Sequence, residues 1–395
     1  MPKITPNKDG QFNLPPDFLN RRHLNPKDEY WLDERDGDLV LHPCKPDVRK
    51  LYIEVTTVCN LNCETCMRHS WVDPASHMKQ ETFDKILECI PTFPGLTQVV
   101  LTSFGEPLSH PRIIEWIERL KKFEISLTLG TNGLLLNEKI ARELVRLGVN
   151  QVVVSVDGVK PETYAEVRGA QLSKVLDNIT GLNEVKRQMG AIYPTIGIEF
   201  VAIKSNQEEV HGLAELASRL GAARTVVSNL LPYTPEMNAE KLYGYEPKPP
   251  FKTSGWPVYS GAWMKWGVTE LPRMHWGGEQ YCRFVNDYAI VVGWDGGVSP
   301  CYALSHSYKY YAIDGLEKQV TRHTFGNVNQ ASLAEIWMSE EYVRYRSEVR
   351  AFHFPSCADC DLRDTCDLRA QNNACWGYNP SCADCLWAQD IVRCP

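Results

Sequence analysis

Between about residue 51 and residue 230, short runs of β-branched and apolar residues alternate with longer segments whose apolar positions recur at helical spacing. The strand-like runs are "LYIEVTT", "LTQVVLTS", "EISLTLGTN", "NQVVVSVD", "TIGIEFVAI" and "ARTVVSNL". The helical ones include "PRIIEWIERLKKF", "NEKIARELVRLG" and "EEVHGLAELASRLG", with Gly148 and Gly221 placed as C-terminal caps. Apolar strands buried on both faces and joined by crossover helices predict a parallel sheet. Six such units predict an α/β fold, a partial (β/α)6 TIM-like barrel, whose chemistry belongs at the carboxyl ends of its strands. Upstream, Ile4, Phe12, Leu14, Phe18, Leu19, Tyr30, Leu32, Leu39 and Leu41 alternate with charges, the pattern of a hairpin module with one buried face. No apolar run approaches the roughly 20 residues that span a bilayer.

Composition narrows the class. The 395 residues carry a net charge of −7 and no dense basic block, which argues against a nucleic-acid partner. The opening "MPKITPNKDG" is polar and gives no export signal, so a cytoplasmic location is expected, with no membrane contact. Fourteen cysteines in such a chain point to thiolate ligands rather than disulfides. Nine of them fall between Cys282 and Cys394. The expected organisation is a hairpin module over 1–46, the barrel over 47–230, a Pro-, Gly- and aromatic-rich bridge over 231–281, and a cysteine-rich domain over 282–395.

The candidate chemistry begins with Cys59, Cys63 and Cys66, spaced C-x3-C-x2-C just past the first barrel strand. A structural zinc site takes four protein ligands and a cubane iron–sulfur cluster usually takes four cysteines. Three leave one position open, unless His69 completes a zinc site. The triplet resembles the signature of the radical S-adenosylmethionine (SAM) superfamily, although the residue before the third cysteine, often aromatic there, is Thr65. The resemblance implies a [4Fe–4S] cluster whose open iron chelates SAM and whose electron cleaves it to a 5′-deoxyadenosyl radical. Three further elements end successive strands in the family's order. "SFGEPL" resembles its Gly-Gly-Glu-Pro motif, so Gly105 and Glu106 carry over while Phe104 replaces the first glycine. "GTNG" brings Thr131 and Asn132 to the SAM site. "SVDG" followed by "RG" supplies Ser155 and Arg168 for the SAM carboxylate and ribose, with Asp157 behind them; an Arg fork suits a carboxylate. Each tetrapeptide alone reads as an ordinary turn or helix start.

The last third resembles the SPASM extension, which carries one or two auxiliary [4Fe–4S] clusters. Cys282 and Cys301 flank a hairpin with C-x13-G-x4-C spacing through Gly296, and Cys357, Cys360 and Cys366 give C-x2-C-x5-C. The family's next cysteine is replaced by Ala370. The expected grouping puts Cys282, Cys301 and Cys375 at an inner cluster and Cys357, Cys360 and Cys366 at an outer one. Cys382, Cys385 and Cys394 supply further ligands, and zinc is the alternative for any C-x2-C pair. Cys44 and Cys89 are expected as packing residues. Tyr302 stands where peptide-modifying relatives often carry an acidic base. In the bridge, Trp256, Trp263, Trp266, His275 and Trp276 either line a substrate cavity or pack the domains together.

Residues 1–46 resemble the AbrB/MazE-like swapped hairpin, which implies a homodimer or a docking surface. Seven Lys/Arg against eight Asp/Glu there give no DNA-binding face. The whole chain resembles the radical SAM maturases associated with tungstopterin aldehyde oxidoreductases. That resemblance implies an aldehyde oxidoreductase as protein partner and an electron donor such as ferredoxin or flavodoxin. The alternatives are a SPASM enzyme that crosslinks a ribosomal peptide, or a non-catalytic iron–sulfur electron carrier.

Overall fold

The computed structural model describes residues 4–21, 28–35, 37–71, 73–102, 104–244, 268–272 and 280–393. After a short helix, Pro16–Arg21, comes an antiparallel hairpin of β1 (Tyr30–Arg35) and β2 (Asp38–Pro43), in register from Tyr30–Pro43 to Arg35–Asp38. The barrel strands follow: β3 (Lys50–Ile53), β4 (Gln98–Leu101), β5 (Ser126–Thr131), β6 (Gln151–Ser155), β7 (Thr195–Ala202) and β8 (Ala222–Asn229). Each pairs in parallel with the next, as the six apolar runs predict.

The sheet does not stop at the sixth strand. β9 (Val268–Glu270) adds in parallel to β8. At the other edge, β10 (Ala289–Val292) pairs in parallel with β3, and β11 (Val298–Ser299) turns back against β10. The result is one nine-stranded sheet in the order β11-β10-β3-β4-β5-β6-β7-β8-β9. The cysteine-rich part is therefore joined to the barrel by strand pairing. All four residues of β10 are buried, the pattern of a strand covered on both faces. A small antiparallel pair, β12 (Tyr308–Tyr311) with β13 (Glu317–Val320), lies outside it.

Helices cover the barrel. Helices Ile113–Leu120 and Glu138–Arg146 bury their apolar stripes, and Gly148 takes the left-handed conformation (φ 65°) expected just past a helix end. Gly221 does the same after Leu213–Arg219 (φ 63°). The helix Pro161–Arg168 ends on Gly169 at φ 66°, which fixes Arg168 in its last turn. Among the described residues no helix is long and apolar enough to cross a membrane.

The N-terminal hairpin forms, but its apolar face is not the one that packs. Leu32 and Leu39 are 65% and 60% exposed, and Leu41, Ile4 and Phe12 are exposed as well. Alternation shows that the two faces of a ribbon differ; it does not say which one docks. The docked face carries Trp31, Asp33 and His42. Trp31 Nε1 donates to the Met338 carbonyl at 3.0 Å, and Asp33 lies 3.4 Å from His42 Nε2 and 3.9 Å from Arg344. Removing Trp31 should cost this attachment about 1–2 kcal/mol. Trp31→Ala is therefore expected to speed proteolytic cleavage within residues 28–46 several-fold while the melting temperature of the barrel stays the same. Limited proteolysis beside calorimetry checks both.

Candidate functional site

The carboxyl end of β3 leads into the loop of Cys59, Cys63 and Cys66. The next strand end must come very close to it. A Cβ on Gly105 would lie 2.2 Å from the Thr56 carbonyl oxygen, so only glycine fits there. That approach lets the Glu106 N–H donate to the Val58 carbonyl at 2.8 Å.

Glu106 is fully enclosed and braces the strand ends. Its Oε1 accepts from Leu108 N (3.0 Å) and Thr131 Oγ1 (2.8 Å), and its Oε2 accepts from Asn132 N (2.7 Å). Burial pushes this carboxyl up, against the pull of those three donors. Asn132 then reaches back to the cysteine loop, donating through Nδ2 to Asn60 Oδ1 at 2.8 Å and lying 3.7 Å from Cys59 Sγ. At the end of β6, Asp157 is buried; its Oδ1 accepts from Val201 N (2.8 Å) and its Oδ2 pairs with Arg168 Nε at 2.7 Å. Burial disfavours the Arg168 charge, but Asp157 and Cys63 outweigh it and hold the guanidinium firmly protonated. Arg168 Nη1 stands 3.8 Å from Cys63 Sγ.

All ten barrel residues singled out by sequence line one cavity of about 240 Å3: Cys59, Cys63, Cys66, Gly105, Glu106, Thr131, Asn132, Ser155, Asp157 and Arg168. The cysteine sulfurs are ringed by donors, as thiolate ligands require. Leu61 N–H donates to Cys59 (3.4 Å) and Arg68 Nε to Cys66 (3.2 Å). Burial pushes the Cys59 and Cys63 thiols up, and nearby arginines pull them down. These residues suit a [4Fe–4S] cluster. His69 does not complete a zinc site through Nε2, which lies 3.0 Å from the Cys63 carbonyl. Among the described residues no three His, Cys, Asp or Glu side chains converge on a single ion.

Several wall residues escape the sequence reading. Arg68 ties the cysteine loop together, its Nη1 and Nη2 donating to the carbonyls of Thr57 (3.3 Å) and Leu61 (2.9 Å). Glu199 on β7 is the strand partner of Ser155, and burial followed by the Asp157 charge lifts its carboxyl to about 7. A lone acid in "TIGIEFVAI" was the available signal. Trp387, Val392 and Arg393 enter from the C-terminal segment, where Arg393 N donates to Ser228 Oγ (2.9 Å) and Asn229 Nδ2 to the Ile391 carbonyl (3.0 Å). Tyr302 closes another side, its hydroxyl donating to the Thr102 carbonyl at 2.7 Å. Trp256, Trp263, Trp266, His275 and Trp276 lie outside the described residues.

Cys301 is buried, and burial followed by the neighbouring charges of Cys282, Cys385 and Cys382 pushes its thiol well up. Tyr345 Oη lies 3.3 Å from Cys382 Sγ. Cys375, expected with Cys282 and Cys301, is exposed on the turn Ala374–Gly377. Cys357 and Cys366 form a second neighbourhood, Cys360 is exposed, and Cys394 lies outside the described residues.

The sequence matches the radical SAM superfamily over residues 53–217 and the SPASM iron–sulfur cluster-binding domain over 282–361. It is 38% identical over 352 residues to the tungsten-containing aldehyde ferredoxin oxidoreductase cofactor-modifying protein of Pyrococcus furiosus, covering 88% of this chain and 97% of that one. The chain belongs to the radical SAM superfamily. It is a radical SAM/SPASM enzyme, with SAM, a SAM-binding [4Fe–4S] cluster and auxiliary iron–sulfur binding as its cofactors. Two solved structures share its fold. One is anSMEcpe with bound AdoMet and a peptide, at TM-score 0.59 and 18% identity, covering 88% of this chain and 96% of that one. The other is Streptococcus suis SuiB bound to S-adenosylmethionine, at TM-score 0.57 and 15% identity, covering 83% and 73%.

Glu199 gives this radical SAM site a pH signature. With its carboxyl raised from 4.5 to about 7 on folding, the native chain holds a proton that the unfolded chain releases in that window. Stability through this group therefore falls as pH rises from about 4.5 to 7. Glu199→Gln is expected to raise the melting temperature of the apoprotein relative to wild type at about pH 8 and to leave it nearly unchanged at about pH 5. Paired thermal scans across that range check it.

Proposed function

We propose that this radical SAM enzyme matures a tungsten-containing aldehyde oxidoreductase or the cofactor it carries. The observation behind its chemistry is the shared cavity: three thiols, the Glu106 brace and the Arg168–Asp157 pair all line one pocket. A cluster on Cys59, Cys63 and Cys66, once bound and reduced, supplies the electron that splits SAM into methionine and a 5′-deoxyadenosyl radical. The chain's own residues do the rest. Arg168, kept charged by Asp157, offers a fork to the SAM carboxylate, while Ser155, Thr131 and Asn132 line the same wall. Phe104, Tyr302, Trp387 and Val392 restrict water around the reacting atoms. The choice of substrate rests on the Pyrococcus furiosus relative, whose name describes a cofactor-modifying protein and which matches nearly end to end.

The peptide-crosslinking alternative calls for a base next to Cys301. Tyr302 is spent as a donor to the Thr102 carbonyl, which removes the direct equivalent of an acidic base. The electron donor we assign to a ferredoxin- or flavodoxin-type protein, because each cleavage consumes one low-potential electron.

Replacing Cys59, Cys63 and Cys66 together by Ala is expected to abolish 5′-deoxyadenosine formation and to leave the auxiliary iron bound. Wild-type protein reconstituted without oxygen should hold about 8 to 12 irons, and the triple variant about four fewer. SAM cleavage by the triple variant, or stoichiometric zinc in place of auxiliary iron, would overturn the assignment. Co-expression with a tungsten-containing aldehyde oxidoreductase tests the substrate: the oxidoreductase isolated without this enzyme should lack activity and carry a cofactor of different mass.

A further inference from the structure

Three arginines line the SAM cavity: Arg68, Arg168 and Arg393. Two of them are neutralised locally. Arg168 Nε pairs with Asp157 Oδ2 at 2.7 Å, and Arg393 Nη2 with Asp390 Oδ2 at 2.6 Å. Arg68, half-buried, pairs with no carboxylate among the described residues. Its Nε donates to Cys66 Sγ at 3.2 Å, its Nη1 to the Thr57 carbonyl at 3.3 Å and its Nη2 to the Leu61 carbonyl at 2.9 Å. A cation withdrawn from water is costly unless a charge of opposite sign meets it. Of its three acceptors, the sulfur is the one that can carry such a charge.

The two carbonyls fix where that charge sits. Thr57 and Leu61 flank Cys59, so the guanidinium spans both arms of the cysteine loop. Its planar fork cannot turn from the sulfur without giving up both carbonyls. The other two sulfurs are met differently. Cys59 has neutral donors, Leu61 N at 3.4 Å and Asn132 Nδ2 at 3.7 Å. Cys63 has Arg168 Nη1 at 3.8 Å, whose charge Asp157 offsets. Arg68 is thus a fixed positive charge, without a carboxylate partner, in hydrogen-bond contact with Cys66.

We infer that Arg68 tunes the SAM-binding cluster: its charge and its N–H···S bond raise the potential at which that cluster accepts an electron. Reduction moves one electron from the ferredoxin- or flavodoxin-type donor, which is oxidised, and no proton or bond changes hands at Cys66. The added negative charge is stabilised by a cation beside the thiolates, and a hydrogen bond to a ligating sulfur acts in the same direction. Arg68 acts through Cys66, as a positioning residue. The inference rests on Cys59, Cys63 and Cys66 holding the cluster.

The test is a redox titration of reconstituted full-length protein followed by EPR. The signal that changes on adding SAM distinguishes this cluster from the auxiliary ones. Arg68→Gln is expected to keep its iron and lower the midpoint, cutting the reduced-to-oxidised ratio at a fixed potential about tenfold, which is about 59 mV for one electron. Arg68→Lys keeps the charge but cannot reach the sulfur and both carbonyls at once, so its ratio should fall about threefold. The KM for SAM should stay within about twofold in both variants. An unchanged midpoint in Arg68→Gln overturns the inference. So does a rise of about tenfold in KM with the midpoint unmoved, which would make Arg68 a SAM contact. If Arg68→Gln loses about four irons, Arg68→Lys decides alone: a lowered midpoint supports the tuning role and a wild-type midpoint overturns it. Wild type without a SAM-responsive signal would remove the cluster itself, a failure distinguishable from a wrong role for Arg68.

Discussion

The pairing of Lys50–Ile53 with Ala289–Val292 is the contact on which the arrangement of both chemistries depends. A partial barrel exposes the free edge of its first strand, and an unpaired edge in a buried setting leaves backbone groups unsatisfied. Here a strand from more than 230 residues downstream fills that edge, in register from Lys50–Ala289 to Ile53–Val292. The strand that leads into the SAM-cluster cysteines is thus bonded to the strand lying between Cys282 and Cys301. Tyr302, next to Cys301, then reaches the Thr102 carbonyl at the neighbouring strand end. The two cysteine groups are held at a fixed separation by sheet geometry, which side-chain packing alone would not ensure. Trp387, Val392 and Arg393 reinforce this by lining both the SAM cavity and an adjoining one that reaches Cys282.

The sequence carried the barrel and its strand-end chemistry because both depend on local pattern. Six β-branched runs declare strands wherever they are placed; Thr131 and Ser155 close two of them, Gly105, Glu106, Asn132 and Asp157 lie just past their ends, and Arg168 ends the helix that follows β6. Non-local choices left weaker traces. "AIVV" at 289–292 is four residues long, and nothing in it says which edge it will join. The cysteine partners were equally hidden, since spacing constrains neighbours within a segment and leaves connectivity between segments open. Spacing thus grouped Cys375 with Cys282 and Cys301, whereas in the fold Cys375 is exposed and Cys382 is buried. Arg68 was in plain view beside Cys66, but an arginine near a cysteine is common and its three bonds to the loop exist only once the loop is folded. On the hairpin, alternation revealed two faces and the docking of Trp31 decided between them.

The buried charges around the cavity follow one logic. Removing a charge from water is expensive, and pairing it seldom brings a net gain in stability over a well-packed apolar core. What such groups do provide is position, because each is over-determined by its partners. Glu106 is fixed by three donors from two segments, and Arg168 by the Asp157 carboxylate just past the end of β6. Neither can turn without leaving a bare charge behind, so the wall that faces SAM is rigid before SAM arrives.

The same reasoning explains a residue with no place in the cavity itself. His306, from the cysteine-rich part, is almost completely buried between two acids: Nε2 lies 3.0 Å from Glu54 at the end of β3, and Nδ1 lies 3.0 Å from Asp73 beyond the cysteine loop. Carboxylates only accept hydrogen bonds, so both ring nitrogens must donate and the imidazole is cationic. Burial alone would lower its pKa; Glu54 and then Asp73 overcome this and raise it. Trp71 stacks on the ring at 3.8 Å, and Phe104 packs edge-on to Trp71. The residue that stands where the family has a glycine is thereby part of a clamp that reaches from the SAM motif to the auxiliary domain. A glycine at position 104 would leave Trp71, which stacks on His306, without its edge contact. The Phe in "SFGEPL" is therefore explained by the inter-domain seam it seals, while Gly105 and Glu106 beside it answer to the SAM site.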